Sequence, residues 1–426
     1  MKIYVIGGGA AGMMAAIAAK ETNSSAEVHL IEKNDKLGKK IFITGKGRGN
    51  MTNAQDIEDF FKNYVTNPRF LYSALYDFTN QDVIKLLEKQ GCRTKTERGD
   101  RVFPVSDHAY SITDALKHYI KKLGVEIHYK TEVRNINYKN GHVSGIETCY
   151  GKYPADRVIV ATGGLAYPST GSTGDGYRFA REAGMTVTET YPSLVCLNVH
   201  EPDIYRLKGL TLKNISINIT DDNGKSYYKD FGDLDFIEEG LRGPVIISAS
   251  AVITRYLNAE DPKKRKILTV HIDLKPALND QQLDERLLRD FQEFRNKELR
   301  NAFSNLLPAQ LISVFTARLE AKGIDINKKV TEVDKETRKK VLSMLRDFEF
   351  TISGTGSFKE AIVTQGGVSV KEISPKTMES KKISGLYFAG EVMDVDGYTG
   401  GFNMQMAFST GHLAGRSAAA EDIETA

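Results

Sequence analysis

Residues 2–33 restrict the fold most. A β-rich run, Ile3 to Ile6, enters a glycine turn, Gly7-Gly8-Gly9-Ala10-Ala11-Gly12. An alanine-rich helical run follows to about Lys20, and a second β-rich run, Val28 to Ile31, ends on Glu32. Strand, Gly-x-Gly-x-x-Gly, helix, strand and acid within about 30 residues is the context in which this motif marks a dinucleotide site. Gly7 permits the tight turn. Gly9 has no Cβ to hold a pyrophosphate off the backbone, and Gly12 lets the helix pack closely on the strand. Beside Ala11, the first-turn N–H groups and the positive dipole end face the phosphates. Glu32 can accept hydrogen bonds from ribose hydroxyls, which favours a free 2′-OH and so FAD or NAD over NADP.

The same stretch has a blander reading as a secretory leader, with Lys2, an apolar run and small residues at Ala15-Ala16-Ile17-Ala18-Ala19. Three glycines inside the would-be apolar segment, and Glu32 beyond it, argue against that.

The chain has 426 residues, enough for two or three domains. Its formal net charge is +3, with both signs interspersed, which gives no reason to expect nucleic acid or an anionic membrane as partner. Cys92, Cys149 and Cys196 are far apart and form no Cys-x-x-Cys pair, against a disulfide framework or a structural zinc site. No metal site is expected, and a reducing cytoplasm fits best. No apolar run reaches the roughly 18–20 residues of a membrane span; Pro244 to Ile253 reads as a buried helix or strand. The alanine-rich end, Ser417 to Ala426, is expected to fray.

Further along, Leu37 to Asn53 alternates glycines with cations and small polar residues. It includes Lys40, Thr44, Gly45, Lys46, Arg48, Asn50, Thr52 and Asn53. Such a segment can wrap an anionic ligand, or it can be a basic loop that binds nothing; its place after the dinucleotide acid favours the ligand. Ile57 to Gln90 reads as helices, Cys92 to Val105 as short strands, and His108 as a residue of a capping loop. Val125 to Tyr153 alternates around turn signals and reads as an antiparallel meander. Arg157 to Val160 is a buried parallel strand running into Ala161-Thr162-Gly163-Gly164, whose small residues let backbone press on a ligand. Gly171-Ser172-Thr173-Gly174-Asp175-Gly176-Tyr177 then opens a helix.

From about Tyr191 the character changes. The expected fold is α/β: a Rossmann-like domain from 1–190 and 351–426, interrupted by a β-rich insertion over 191–278 and a helical one over 279–350. Leu283, Leu287, Leu288, Phe291 and Phe294 form an apolar stripe that reads as core. The last block returns to α/β. A buried strand, Leu386 to Phe388, ends on Gly390-Glu391. The turn Gly400-Gly401 then starts a helix at Asn403-Met404-Gln405 that runs to about Ala420, and its N-terminus would favour negative charge at a flavin's N1 and O2.

In this order these blocks resemble the two-dinucleotide-binding-domain flavoproteins, and more narrowly the BaiN/RdsA-type NAD(P)/FAD-dependent oxidoreductases, also described as aminoacetone oxidase family FAD-binding enzymes. Gly7–Gly12 with Glu32, Thr44–Asn53, Ala161–Gly164 with Gly171–Tyr177, and Gly390 through Asn403 carry the likeness. The resemblance implies non-covalent FAD and a Rossmann-like domain with β-barrel-like and helical insertions. It implies that Gly390, Glu391 and Asn403–Gln405 line the flavin end, and that Glu32, Lys33 and Val133 lie at the adenosine end. Family members often carry Cys where this chain has Gly49, so no thiol there can serve the chemistry.

Two versions of flavin chemistry are then open. In one, NAD(P)H reduces the flavin, which reduces an activated C=C bond; in the other, a small amine is oxidised. No second Gly-x-Gly-x-x-Gly lies in a strand–helix context, so a nicotinamide would bind transiently at the flavin face. A small-molecule substrate is expected. A rival class is a non-catalytic or redox-sensing flavin-binding protein. No residue type in the pattern names a general acid or base; Tyr398 and His108 are candidates by position alone.

Overall fold

The structure is a computed structural model describing residues 1–259 and 261–420. The chain divides into two compact units, Met1–Ser193 with Ser357–Ala426, and Leu194–Gly356.

The first unit is built on a parallel sheet of five strands: β1 (Lys2–Ile6), β2 (Glu27–Ile31), β3 (Glu126–His128), β4 (Arg157–Val160) and β5 (Leu386–Phe388). Their spatial order is β5-β4-β1-β2-β3. β1 is central because both its faces are covered: Ile3, Val5 and Ile6 are at most 5 % exposed. The first helix (Ala10–Thr22) is buried along Ala10–Ala19, and the last helix (Phe402–Ala419) lies against it. A Cβ at Gly411 would come 2.3 Å from the Ala11 carbonyl oxygen, and one at Gly415 would come 2.1 Å from that of Ala15. Glycine is needed there because two backbones meet.

Val125 to Tyr153 is not one meander. Glu126–His128 joins the parallel sheet beside β2, and only Val133–Lys139, His142–Thr148 and Gly151–Pro154 form the antiparallel meander. The division falls where the backbone N–H groups of Glu32 and Thr131 donate to His128 and Glu32. The last helix ends where the reading to about Ala420 puts it, and only the fraying expected from Ser417 begins too early. The chain is helical through Ala419, with Ala418 and Ala419 buried; residues 421–426, part of the segment expected to fray, lie outside the described residues.

The second unit holds a closed six-stranded barrel: Leu197–Val199, Gly240–Arg242, Ser226–Phe236, Thr211–Asp221, Leu268–Asp273 and Phe348–Thr355, in that spatial order. Pro244–Leu257 is a helix. The helices Asp280–Glu293, Ala309–Ala321 and Lys335–Arg346 share one hydrophobic core with the barrel, Phe303, Phe315, Phe348 and Phe350 included. Barrel and helices are therefore one unit here rather than two pieces meeting at 278/279. The boundary expected at 350/351 would cut the strand whose alternate residues Phe348, Phe350 and Ile352 fill that core. At the other end Tyr191–Ser193 stays with the first unit, pairing with Val363–Gln365. No helix among the described residues is long and apolar enough to cross a membrane.

Candidate cofactor site

The carboxyl ends of β1, β2 and β4 meet at the centre of the sheet, where an open α/β sheet presents its ligand crevice. The three motif glycines behave differently there. Gly7 has φ +105, and a Cβ on it would lie 2.5 Å from the Ala161 carbonyl oxygen. At Gly12 a Cβ would lie 1.8 Å from the Gly7 carbonyl oxygen. At Gly9, the N-cap of the first helix, a Cβ would meet nothing within 4 Å. The outer two glycines are packed shut by the chain's own backbone, and the middle one faces open space. Ala10, Ala11 and Gly12 lead the helix there with first-turn N–H groups that lack intrahelical acceptors. This cradle fits the pyrophosphate of a dinucleotide.

Glu32, 8 % exposed, has a role that its spacing alone did not reveal. Its Oε2 accepts from the Gly8 N–H at 2.8 Å, and its Oε1 accepts from the Asn34 N–H and side-chain amide at 2.7 and 2.8 Å. Glu32 therefore pins the glycine turn to the end of β2. A carboxylate offers about four acceptor positions, so room for one further donor remains. Lys33 turns to the Gly171–Tyr177 loop, with Nζ 2.5 Å from Asp175 Oδ2 and 2.6 Å from Thr173 Oγ1. Val133 is buried at the start of the meander, two residues beyond Thr131.

The basic glycine segment is folded differently from a flexible wrap. Ile41–Gly47 forms tight turns with Gly45 and Lys46 at φ 57 and 58, and Thr44 Oγ1 donates back to the Ile41 carbonyl. Arg48 is not a free cation. Its guanidinium pairs with Glu97 and Asp107 and lies 4.4 Å from the Phe103 ring centroid. These bonds raise the guanidinium's proton affinity and hold Glu97 below the ordinary carboxylate range; Lys95, then Arg48, does the same for Asp107. Lys40 reaches the other end of the chain, Nζ 2.6 Å from Glu391 Oε2. At Gly49, φ is +79 and a Cβ would lie 2.8 Å from Ile112 Cδ1, so the local packing is built around glycine.

Asn50, with its amide nitrogen toward the Val102 and Thr52 carbonyls, accepts from the Gly401 N–H at 3.0 Å. Asn53 donates to the Gly99 and Gly400 carbonyls. Thr52 Oγ1 donates to Gln405 Oε1 at 2.6 Å, and Gln405 Nε2 donates to the Phe78 carbonyl and Ser409 Oγ. Gln405 is fully buried, and these bonds use both ends of its amide. Asn403 clamps the loop before it, bonding Gly397 and Tyr398 backbone. What this corner can offer a ligand is the first-turn backbone of the last helix, at Phe402, Asn403 and Met404.

After β4, Ala161 donates to the Ile6 carbonyl. Gly163 has φ +72, and a Cβ at Gly164 would lie 2.4 Å from Thr364 Oγ1. Thr364, read in the sequence only as part of a glycine-rich turn, organises this loop. Its hydroxyl accepts from the Leu165 and Ala166 N–H groups, and its own N–H donates to Glu391 Oε1. A Cβ at Gly390 would lie 2.8 Å from Ala11 Cβ, which brings the last strand end onto the first helix. The hydroxyls of Thr162 and Tyr177 are buried with no hydrogen-bond partner among the described residues. Burial, with the Glu391 charge second, pushes the Tyr177 hydroxyl well above its usual range. His108 stacks on Tyr110 in the loop before the helix Tyr110–Lys122.

Fold and cradle define a Rossmann-type flavoprotein, and the open glycine at the helix N-terminus suits the pyrophosphate of a large dinucleotide. The model described as HI0933-like protein Rossmann domain matches residues 1–417: the chain belongs to that family, and it is an FAD-dependent oxidoreductase. It is 31 % identical over 421 residues to the 3-dehydro-bile acid delta(4,6)-reductase of Clostridium scindens, covering 98 % of this chain and 99 % of that one. It is 32 % identical over 419 residues to the ribosomal RNA dihydrouridine synthase of Haemophilus influenzae, covering 97 % of each. Among solved structures, a flavocytochrome c3 fumarate reductase in an open conformation shares the fold at TM-score 0.50 and 17 % identity, over 98 % of this chain and 78 % of that one.

Proposed function

We propose that this protein is a reductase of a C=C bond conjugated to a carbonyl, driven by NAD(P)H. The observation that carries this reading is the likeness, over nearly the full length of each, to two relatives whose names share one chemistry. A delta(4,6)-reductase saturates a conjugated enone, and dihydrouridine differs from uridine by two hydrogens across a C=C bond beside a carbonyl. When bound, FAD supplies the two-electron relay: NAD(P)H, a proton and the C=C bond become NAD(P)+ and the saturated CH–CH product.

The chain's own contribution is placement. Gly9 with the first-turn N–H groups of the first helix would hold the pyrophosphate, and the remaining acceptor position of Glu32 would take a ribose hydroxyl. The N–H groups of Phe402, Asn403 and Met404 would face the polar edge of the isoalloxazine and favour negative charge there. Lys40–Glu391 and Thr364 would hold the loop over it. No second glycine fingerprint offers the nicotinamide a domain of its own, so it would share the flavin face with the substrate in turn.

The test is anaerobic. FAD-loaded protein is mixed with NADH or NADPH, and visible flavin absorbance is followed. A steroid enone, a uridine-containing RNA and a small amine are then offered separately. Bleaching by a nicotinamide and recovery on adding the enone or the RNA is the expected result, and which of the two acts identifies the substrate class. The interspersed surface charge favours the small molecule, whereas the Haemophilus relative's name favours RNA. No bleaching by either nicotinamide, or bleaching by the amine alone, would overturn the proposal.

A further inference from the structure

On the face of the parallel sheet turned to the meander, β2 and β3 bring together three side chains outside the cofactor cradle. The parallel register sets His29 opposite Glu126 and Ile31 opposite His128, so His128 falls two residues beyond Glu126 on the same face. His29 Nδ1 is 3.1 Å from His128 Nε2 and 3.3 Å from Glu126 Oε2, and the last two atoms are 3.8 Å apart. A tetrahedral site with metal–nitrogen bonds of about 2.05 Å has ligand-to-ligand edges of about 3.3 Å. The three atoms already stand near those edges, with the fourth corner toward solvent: the side chains of His128 and Glu126 are 40 % and 68 % exposed.

We infer that His29, Glu126 and His128 form a binding site for a divalent transition metal, with Zn2+ the best match and water as its fourth ligand. Two imidazoles and one carboxylate suit a borderline-soft ion and do not suit Mg2+, which takes oxygen ligands in octahedral geometry. The buried ligand is held before any ion arrives. The His29 ring stacks on Tyr4 with centroids 4.6 Å apart, and only its Nδ1 faces the other two ligands. Lys2, the cation on the same face, is paired with Glu27 at 3.0 Å. The ion would staple the edge strand β3 to β2 just before Glu32, whose N–H donates to the His128 carbonyl. The composition had offered no metal site, because Glu126 lies 97 positions along the chain from His29.

The experiment uses untagged, full-length, FAD-loaded protein stripped with chelator and titrated with ZnCl2 against a chromophoric competitor, alongside thermal melts. One Zn2+ bound per chain, a rise in melting temperature with Zn2+ and none with Mg2+ are expected. Glu126→Gln and His128→Gln, both at solvent-exposed positions, should each weaken Zn2+ at least about tenfold while leaving flavin absorbance and the metal-free melt unchanged. A wild type that takes up no Zn2+ would overturn the inference. So would Zn2+ retained in both variants, or lost instead in His271→Gln at the other His–carboxylate cluster, where Asp347 and Glu349 face His271.

Discussion

Lys40 Nζ lies 2.6 Å from Glu391 Oε2, joining a loop near the start of the chain to the end of its last strand. The side chains are 24 % and 16 % exposed, so the pair is partly shielded from solvent. Glu391 Oε1 at the same time accepts from the Thr364 N–H, so one carboxylate holds two loops. Lys40→Met should cost about 1–2 kcal/mol by removing one partner of a shielded pair. Glu391→Gln added to it should cost less than the two single losses summed. Denaturant unfolding of the four proteins measures this coupling, and strict additivity would show that the contact contributes nothing.

Gly9 and Gly12 separate binding from folding. Gly9 has an extended backbone, φ −80 and ψ −168, that any residue can adopt, and a side chain there meets nothing of the protein. Gly9→Val should melt within about 0.5 kcal/mol of wild type as apoprotein, yet emerge from purification without yellow colour. Gly12→Ala drives a Cβ against the Gly7 carbonyl oxygen and should destabilise the apoprotein by about 1–3 kcal/mol or more. A flavin-replete Gly9→Val protein would remove the pyrophosphate from the cradle.

Glu32→Ala removes an acceptor from the Gly8 N–H and, on the proposed reading, from a ribose hydroxyl. The loss of a charge-assisted hydrogen bond, about 1.5–3 kcal/mol, corresponds to FAD affinity weaker by roughly ten- to a hundredfold. Equilibrium dialysis of apoprotein against FAD reads this out. Undiminished affinity would limit Glu32 to bracing the turn.

Cys92 should be the last thiol to react. It is 3 % exposed, and burial, with Glu88 adding to it, pushes its pKa up to about 11. A raised pKa means less thiolate: at pH 8 the group is almost wholly protonated, and the thiolate is the nucleophile. Alkylation of native protein at pH 8, read by peptide mass, should spare Cys92 while Cys149 or Cys196 is modified. The protection should disappear on unfolding.

What was legible in the sequence was local. The glycine fingerprint, β4 running into Ala161–Gly164 and the Gly400-Gly401 turn each declare themselves within a few residues, because a tight turn or a close approach restricts residue type at short range. What was not legible depends on partners distant in sequence. Arg48 looked like a cation for phosphate, and Glu97 and Asp107 occupy it from 49 and 59 residues away. Gln405 looked like a ligand contact, and Thr52 and Phe78 take its amide. The barrel seam at Phe348–Thr355 lies on the far side of a long helical stretch from its partners, Leu197–Val199 and Leu268–Asp273. Asn34 could have been suspected, since a short amide beside an acid at a strand end commonly braces it.

The contact of Gly411 and Gly415 with Ala11 and Ala15 has a consequence for how the chain is made. A ribosome delivers the alanine-rich first helix almost four hundred residues before the helix that covers it. Every residue of the intervening unit, 194–356, has been synthesised before that partner exists. The nascent chain therefore completes its middle unit first and carries an uncovered apolar helix face until the covering helix emerges, a period in which chaperone capture rather than cofactor uptake suits its exposed surface.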